Sequence, residues 1–307
     1  MFVESAPQLK YTFSGHEKFQ CRHLWLKKGY DYLQLGKSFL EEDSVIELGV
    51  GKNMVASIRF WLKAFGITDN QDQITQVGEL LFSKDGFDEY LEDDASLWLL
   101  HYLLVKTNFA STYSLIFNEF RKERNEFSTE NFEAFIKRKS DAIPSLSFNP
   151  NTIQNDFDIF RKMYVSSEED YKNIDDSFLG LLTDLHLVGT IQKEEESIVA
   201  DKTKKRTKQV LFLENTDRES LPVEIFLFSI LDNTGYGSSI SLPALENDFN
   251  SPGNIFALSK TGLVTKIQEA QEKYPNDIIY TDHAGIKELQ FKRKIDPIEM
   301  LTSYYEK

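Results

Sequence analysis

A single cysteine, Cys21, rules out an intramolecular disulfide and any cysteine-built zinc site. Proline and glycine are sparse, 8 and 15 in 307 residues, so extensive disorder is not expected. No apolar run approaches the roughly 20 residues of a membrane span. The opening Met1-Phe2-Val3-Glu4-Ser5 lacks the basic and apolar regions of a secretion signal. These absences lead to the expectation of a cytoplasmic protein without membrane contact. Positive charge is short too: 35 Lys and Arg against 49 Asp and Glu leave −14, a field that repels phosphate at long range. Indiscriminate nucleic-acid binding is thereby disfavoured.

The deficit is uneven. Residues 1–65 hold nine basic against seven acidic side chains, a balance of +2, so the remainder carries −16. The most informative stretch, residues 44–66, lies in that positive block. A short apolar run (Val45, Ile46, Leu48) ends at Gly49-Val50-Gly51, and a helical pattern starts at Lys52. Met54, Val55, Ile58, Trp61, Leu62 and Phe65 recur at helical spacing as one buried stripe. At about 100° per residue, Lys52, Asn53, Ala56, Arg59, Phe60 and Lys63 fall on the opposite face. Gly66 supplies the stop. Short helix, glycine turn and cationic helix make a helix-turn-helix pattern, with Lys52, Asn53, Arg59 and Lys63 as its DNA contacts. An ordinary packed helix with solvated lysines fits the same spacing. Gly49-Val50-Gly51-Lys52 is no phosphate loop: no Gly-x-x-x-x-Gly-Lys-[Ser/Thr] is present and Asn53 stands where the metal-binding hydroxyl should be. No nucleotide or organic cofactor is expected.

Upstream, Ser14 to Arg22 crowds a hydroxyl, an imidazole, a carboxylate, an ammonium, a thiol and a guanidinium into nine residues. That density invites a phosphate or metal role, though His16 and Glu17 are adjacent and cannot form a zincin pair. A hydrogen-bonding role in the fold is the competing reading, and Cys21 suits packing better than nucleophilic attack. Leu24, Trp25, Lys28 and Tyr32 suit a first helix packed on the helix-turn-helix.

Further along, residues 67–68 and 74–77 fit the strands of a small wing around Asp69 to Asp72. Residues 95–106 are too apolar for a surface helix. Amphipathic helices are expected over 113–124, 129–139 and 152–164, and another over 176–187. A hairpin of 188–191 and 209–213 follows, with the basic run 202–208 near its tip. There Lys204, Lys205 and Arg206 are candidate backbone contacts for DNA, weakened by Glu194-Glu195-Glu196. In the last third, helices over 223–231, 242–249 and 255–271 precede a hairpin of 278–281 and 287–291 and a closing helix over 297–305. Residues 252–307 carry eight basic and eight acidic side chains, a neutral balance that suits protein contacts in place of DNA.

Two stretches, Phe13-Ser-Gly-His-Glu-Lys-Phe19 through Trp25-Leu-Lys-Lys-Gly-Tyr-Asp31 and Leu48-Gly-Val-Gly-Lys-Asn-Met-Val55 through Ile58-Arg-Phe-Trp61, carry a family resemblance. They resemble an uncharacterised-domain family that accompanies bacterial DNA phosphorothioation genes and includes the B component of the Ssp single-strand system. Thr281-Asp-His-Ala-Gly-Ile286 and the segment after Pro252 match the family's end. The resemblance implies DNA binding, partnership with a cysteine desulfurase and an ATP-using sulfur-transfer protein, and nicking of one strand ahead of sulfur insertion.

The expected fold is mostly α with small β-hairpin wings. Winged helix-turn-helix units occupy 1–90 and 219–307, and a helical middle occupies 91–218. The expected function is the DNA-engaging part of a phosphorothioation-based anti-phage defence system. If it nicks, Mg²⁺ or Mn²⁺ would sit on Glu17, with His16, Lys18 and Arg22 as the other catalytic groups. The alternative is a non-catalytic, transcription-regulator-like adaptor that recruits sulfur-transfer partners. A homodimer is compatible with either.

Overall fold

The computed structural model describes residues 10–166, 179–199, 202–283 and 285–306. About its centre lies one helix, α5 (Asp94–Thr107), which Asp93 caps by accepting from the Ala95 amide. Residues 95–105 are all buried, as their unbroken apolarity demands. On the N-terminal side α3 (Lys52–Ala64) packs on α5, α1 (Trp25–Gln34) and α2 (Ser44–Leu48) pack on α3, and α4 (Gln76–Phe82) packs on α1. Then come α6 (Ser111–Leu115), a π turn (Ile116–Phe120), α7 (Arg121–Glu123), α8 (Thr129–Ala142) and α9 (Pro150–Tyr164). A three-stranded antiparallel sheet joins β1 (Glu126–Phe127), β2 (Gly189–Val199) and β3 (Lys202–Phe212) in the order β1-β3-β2. The C-terminal part runs α10 (Val223–Leu231), β4 (Ser239–Ser241), α11 (Leu242–Asn247), α12 (Pro252–Ile255), α13 (Lys260–Lys273), β5 (Ile278–His283), β6 (Ile286–Phe291) and α14 (Pro297–Tyr305), with sheet order β4-β6-β5. The mostly helical class is as expected.

Several elements depart from the sequence expectation. The wing after α3 shrinks to a single antiparallel bridge, Thr68 to Ile74. Thr75, instead of extending a strand, caps α4 by accepting from the Gly78 amide, while its hydroxyl donates to Gly66 O. The helix expected over 255–271 is broken: Ala257 turns left-handed and Ser259 starts α13 by capping Gly262. Of the helix expected over 176–187, residues 176–178 lie outside the described residues and the rest holds only a short 3-10 turn, Thr183–Leu185. The basic run is strand rather than loop, and its register sets Arg206 and Lys205 opposite Glu195 and Glu196.

The middle and C-terminal parts meet at His101, a fully buried residue of α5. Its Nδ1 accepts from the Tyr164 hydroxyl at 2.7 Å and its Nε2 donates to Ile255 O at 2.8 Å. Burial, helped by the positive Arg218, pushes its pKa down to about 3 despite the Ile255 carbonyl. The folded protein therefore keeps this ring neutral while the unfolded chain takes up a proton near pH 6.5. Stability is full above that value and falls as pH drops below it, by about 2 kcal/mol between pH 7 and 5. Urea unfolding across that range should show the slope, and a His101→Gln variant should lack this share of it.

Candidate nucleic-acid interface

The polar stretch Ser14 to Arg22 forms a tight loop laid over α3. Ser14, Gly15, Glu17 and Lys18 all have positive φ, at 67°, 96°, 49° and 66°. Gly15 is required twice over: its backbone is left-handed, and a Cβ there would lie 2.7 Å from the Phe60 ring. Asp156 of α9 anchors the loop. Its carboxylate accepts the Ser14 amide at 2.9 and 3.1 Å, His16 Nε2 at 2.8 Å and the Thr112 hydroxyl at 3.3 Å. The Lys18 amide donates to His16 Nδ1, which leaves the ring hydrogen on Nε2, facing Asp156. The imidazole, 4% exposed, stacks on Trp61 at 6.1 Å, and Trp61 Nε1 donates to Phe19 O. His16 thus holds the loop down, with both ring nitrogens engaged. Glu17 and Lys18 are exposed at its surface.

Glu17 does not gather a metal-binding set. Among the described residues no group of three or more His, Cys, Asp or Glu is placed to hold a metal ion. Cys21 is buried, and burial pushes its thiol well above its ordinary value, so it packs rather than reacts.

The sequence-predicted cations of α3 divide into two groups. Lys52 and Asn53 are exposed at the helix start, after an N-cap Gly51 that offers no side-chain cap. Arg59 and Lys63 are partly buried and converge on Asp72. Arg59 donates through Nε and Nη2 at 2.7–3.1 Å, and Lys63 Nζ lies 2.9 Å from Asp72 Oδ1 and from Asn70 O. Burial opposes the Asp72 charge, yet these hydrogen bonds outweigh it and hold the carboxyl below its ordinary value. Phe60, expected on the outer face, is buried because the Gly15 loop covers it. Lys204, Lys205 and Arg206 lie in β3, and their side chains fall outside what is described.

The loop and the helix-turn-helix meet in a cleft of about 650 Å³. Arg22, Trp25 and Lys28 form one wall, Val50 and Met54 another, and Asp184 stands at a third. Arg22 lies 5.2 Å over the Trp25 ring, and Lys28 Nζ donates to Leu48 O, joining α1 to the turn before α3. Both stretches that carry the family resemblance therefore contribute to one concavity, whose lining includes two cations, Arg22 and Lys28, and one carboxylate, Asp184. Neither Lys28 nor Asp184 was a candidate site residue from sequence. Lys28 sat within the stripe of a packed helix, and Asp184 lies far along the chain.

A family of proteins of unknown function (DUF4007) matches residues 13–305. The chain belongs to this family. Two solved structures share its fold, one of SspB and one of magnesium ion-bound SspB. Each is 24% identical, with a TM-score of 0.78, covering 96% of this chain and 88% of theirs. A comparison with curated proteins gives no match. No helix among the described residues is long and apolar enough to cross a membrane.

Proposed function

We propose that this protein is the DNA-engaging component of a bacterial phosphorothioation system, holding the backbone of its target at the cleft beside α3. The observation that carries the reading is that Arg22 and Lys28 line one concavity with Val50 and Met54, the residues that flank the exposed Lys52 in the chain. Family membership and the SspB-like fold support the system to which it is assigned. The end units suit the same reading. Helix α10, strand β4, helices α11 to α13 and the β5–β6 hairpin follow a winged-helix order, and α1 to α3 with the Thr68–Ile74 bridge give a reduced version. A cysteine desulfurase and an ATP-using sulfur-transfer protein are the partners this role requires.

The absence of a metal-holding group among the described residues favours an adaptor that presents DNA to those partners. The magnesium ion bound to SspB favours a second reading, a metal-dependent nickase. Supercoiled plasmid incubated with the protein, with and without Mg²⁺ or Mn²⁺, separates the two. Open circles that need the metal establish the nickase; binding without open circles establishes the adaptor.

Replacing Arg22, Lys28 and Lys52 together by alanine should weaken duplex binding regardless of sequence. It should also flatten the slope of log K against log salt by about 3, at roughly 0.9 per phosphate contact. Arg59→Ala with Lys63→Ala should leave that slope unchanged, because both cations are committed to Asp72. Fluorescence anisotropy at several salt concentrations checks both, and an unchanged slope in the first variant places DNA elsewhere.

A further inference from the structure

The outer face of the three-helix unit carries a surface that the DNA reading leaves unused. Leu35, Leu40 and Ile46 are 71, 76 and 82% exposed, the highest values among the exposed large apolar side chains of the described residues. All three come from one short segment: the end of α1, the loop after it and the middle of α2. Isolated surface leucines need no explanation, but three nearly bare aliphatic side chains on adjoining elements do.

Contacts around Tyr32 draw the segment together. Lys37 pairs with Glu47 at 2.5 Å, bringing the chain just after Leu35 against the neighbour of Ile46. The same ammonium lies 5.9 Å over the Tyr32 ring, and the Tyr32 hydroxyl donates to Ser38 O. Burial first, then the negative charges of Glu41, Glu47 and Asp43, pushes that hydroxyl above its ordinary pKa. Glu41, Glu42, Asp43 and Glu47 are all exposed in the same stretch as Leu40 and Ile46, an acidic rim in which Lys37 pairs with Glu47.

We propose that Leu35, Leu40 and Ile46, with this rim, form a docking face for a basic amphipathic helix of a partner protein. The chemistry selects the occupant. The aliphatic side chains need an apolar stripe to cover them, as in helix-in-groove recognition. The carboxylates attract Lys or Arg flanking that stripe and repel phosphate, which excludes nucleic acid and anionic lipid. None of these side chains lines the Arg22–Lys28 cleft, so one unit can hold DNA and a protein together.

The test uses the full-length protein and a labelled synthetic helix of about 18 residues, leucine on one face and lysine on the other. A counterpart with glutamate in place of lysine is the control. Saturable binding of the lysine helix is expected, weakened at least about tenfold by Leu40→Ser with Ile46→Ser. Glu42→Gln with Asp43→Asn should weaken it at low salt and converge on the parent at high salt. These side chains are exposed, so an unchanged melting temperature should accompany every variant. The proposal is overturned if the serine variant binds as tightly as the parent or if the glutamate helix binds equally well. It also fails if the parent self-associates through this face, dissociating on Leu40→Ser with Ile46→Ser, because the occupant is then a second copy.

Discussion

A Trp61→Ala variant is expected to lose about 3–5 kcal/mol of folding stability, the usual cost of emptying a fully buried aromatic site. The indole is completely buried in α3 and touches His16, Phe60, Phe65 and Tyr113 with ring centroids 5.1–6.1 Å apart. Its Nε1 also donates to Phe19 O, so the truncation both opens a cavity and strips the loop of a hydrogen bond. Whole domains are stable by only about 5–15 kcal/mol, so this one change removes a large share. Trp61→Phe keeps most of the volume and loses mainly the bond, at a cost of about 1–3 kcal/mol. Urea titrations of the two variants check the pair. A Trp61→Ala midpoint close to that of the parent would mean that α3 is not packed as described.

The parts of the molecule that were legible in the sequence are those set by local periodicity. Helix α3 was readable because its apolar stripe repeats every three or four residues, and α5 because apolarity all round leaves no solvent face. What stayed hidden depends on contacts between distant segments. Phe60 sits on the outward side of α3 by spacing, yet the loop at Gly15 arrives to cover it. Ile46 belongs to the short apolar run before the glycine turn, yet it is among the most exposed side chains. Strand β1 is two residues long and exists only because Glu126 and Phe127 pair with Phe212 and Leu211. The candidate site shows the same division. The polar density at Ser14 to Arg22 was visible, but the carboxylate that organises it, Asp156, lies 140 positions from His16 on an amphipathic helix with nothing to mark it. The cations of α3 were visible as a group, whereas their division between solvent and Asp72 required the folded turn.

Asp156 is accordingly the residue whose loss tests the site most directly. Its side chain and that of His16 are 6% and 5% exposed, and it accepts from Ser14, His16 and Thr112. Asp156→Ala leaves those donors buried without an acceptor, at a cost of about 3–5 kcal/mol. The loop it anchors has four residues at positive φ, a conformation that persists only while surrounding contacts over-determine it. Release of the loop should therefore loosen the Arg22 wall of the cleft and lower DNA affinity at temperatures where the variant remains folded. A double-mutant cycle with His16→Ala separates anchoring from chemistry. If His16 serves to hold the loop through Asp156, the two changes are strongly non-additive, with a coupling of about 2 kcal/mol in stability and no further loss of binding in the double variant. If the two costs instead add and His16→Ala alone removes plasmid nicking at unchanged stability and affinity, the imidazole works on the scissile strand and the anchoring account fails.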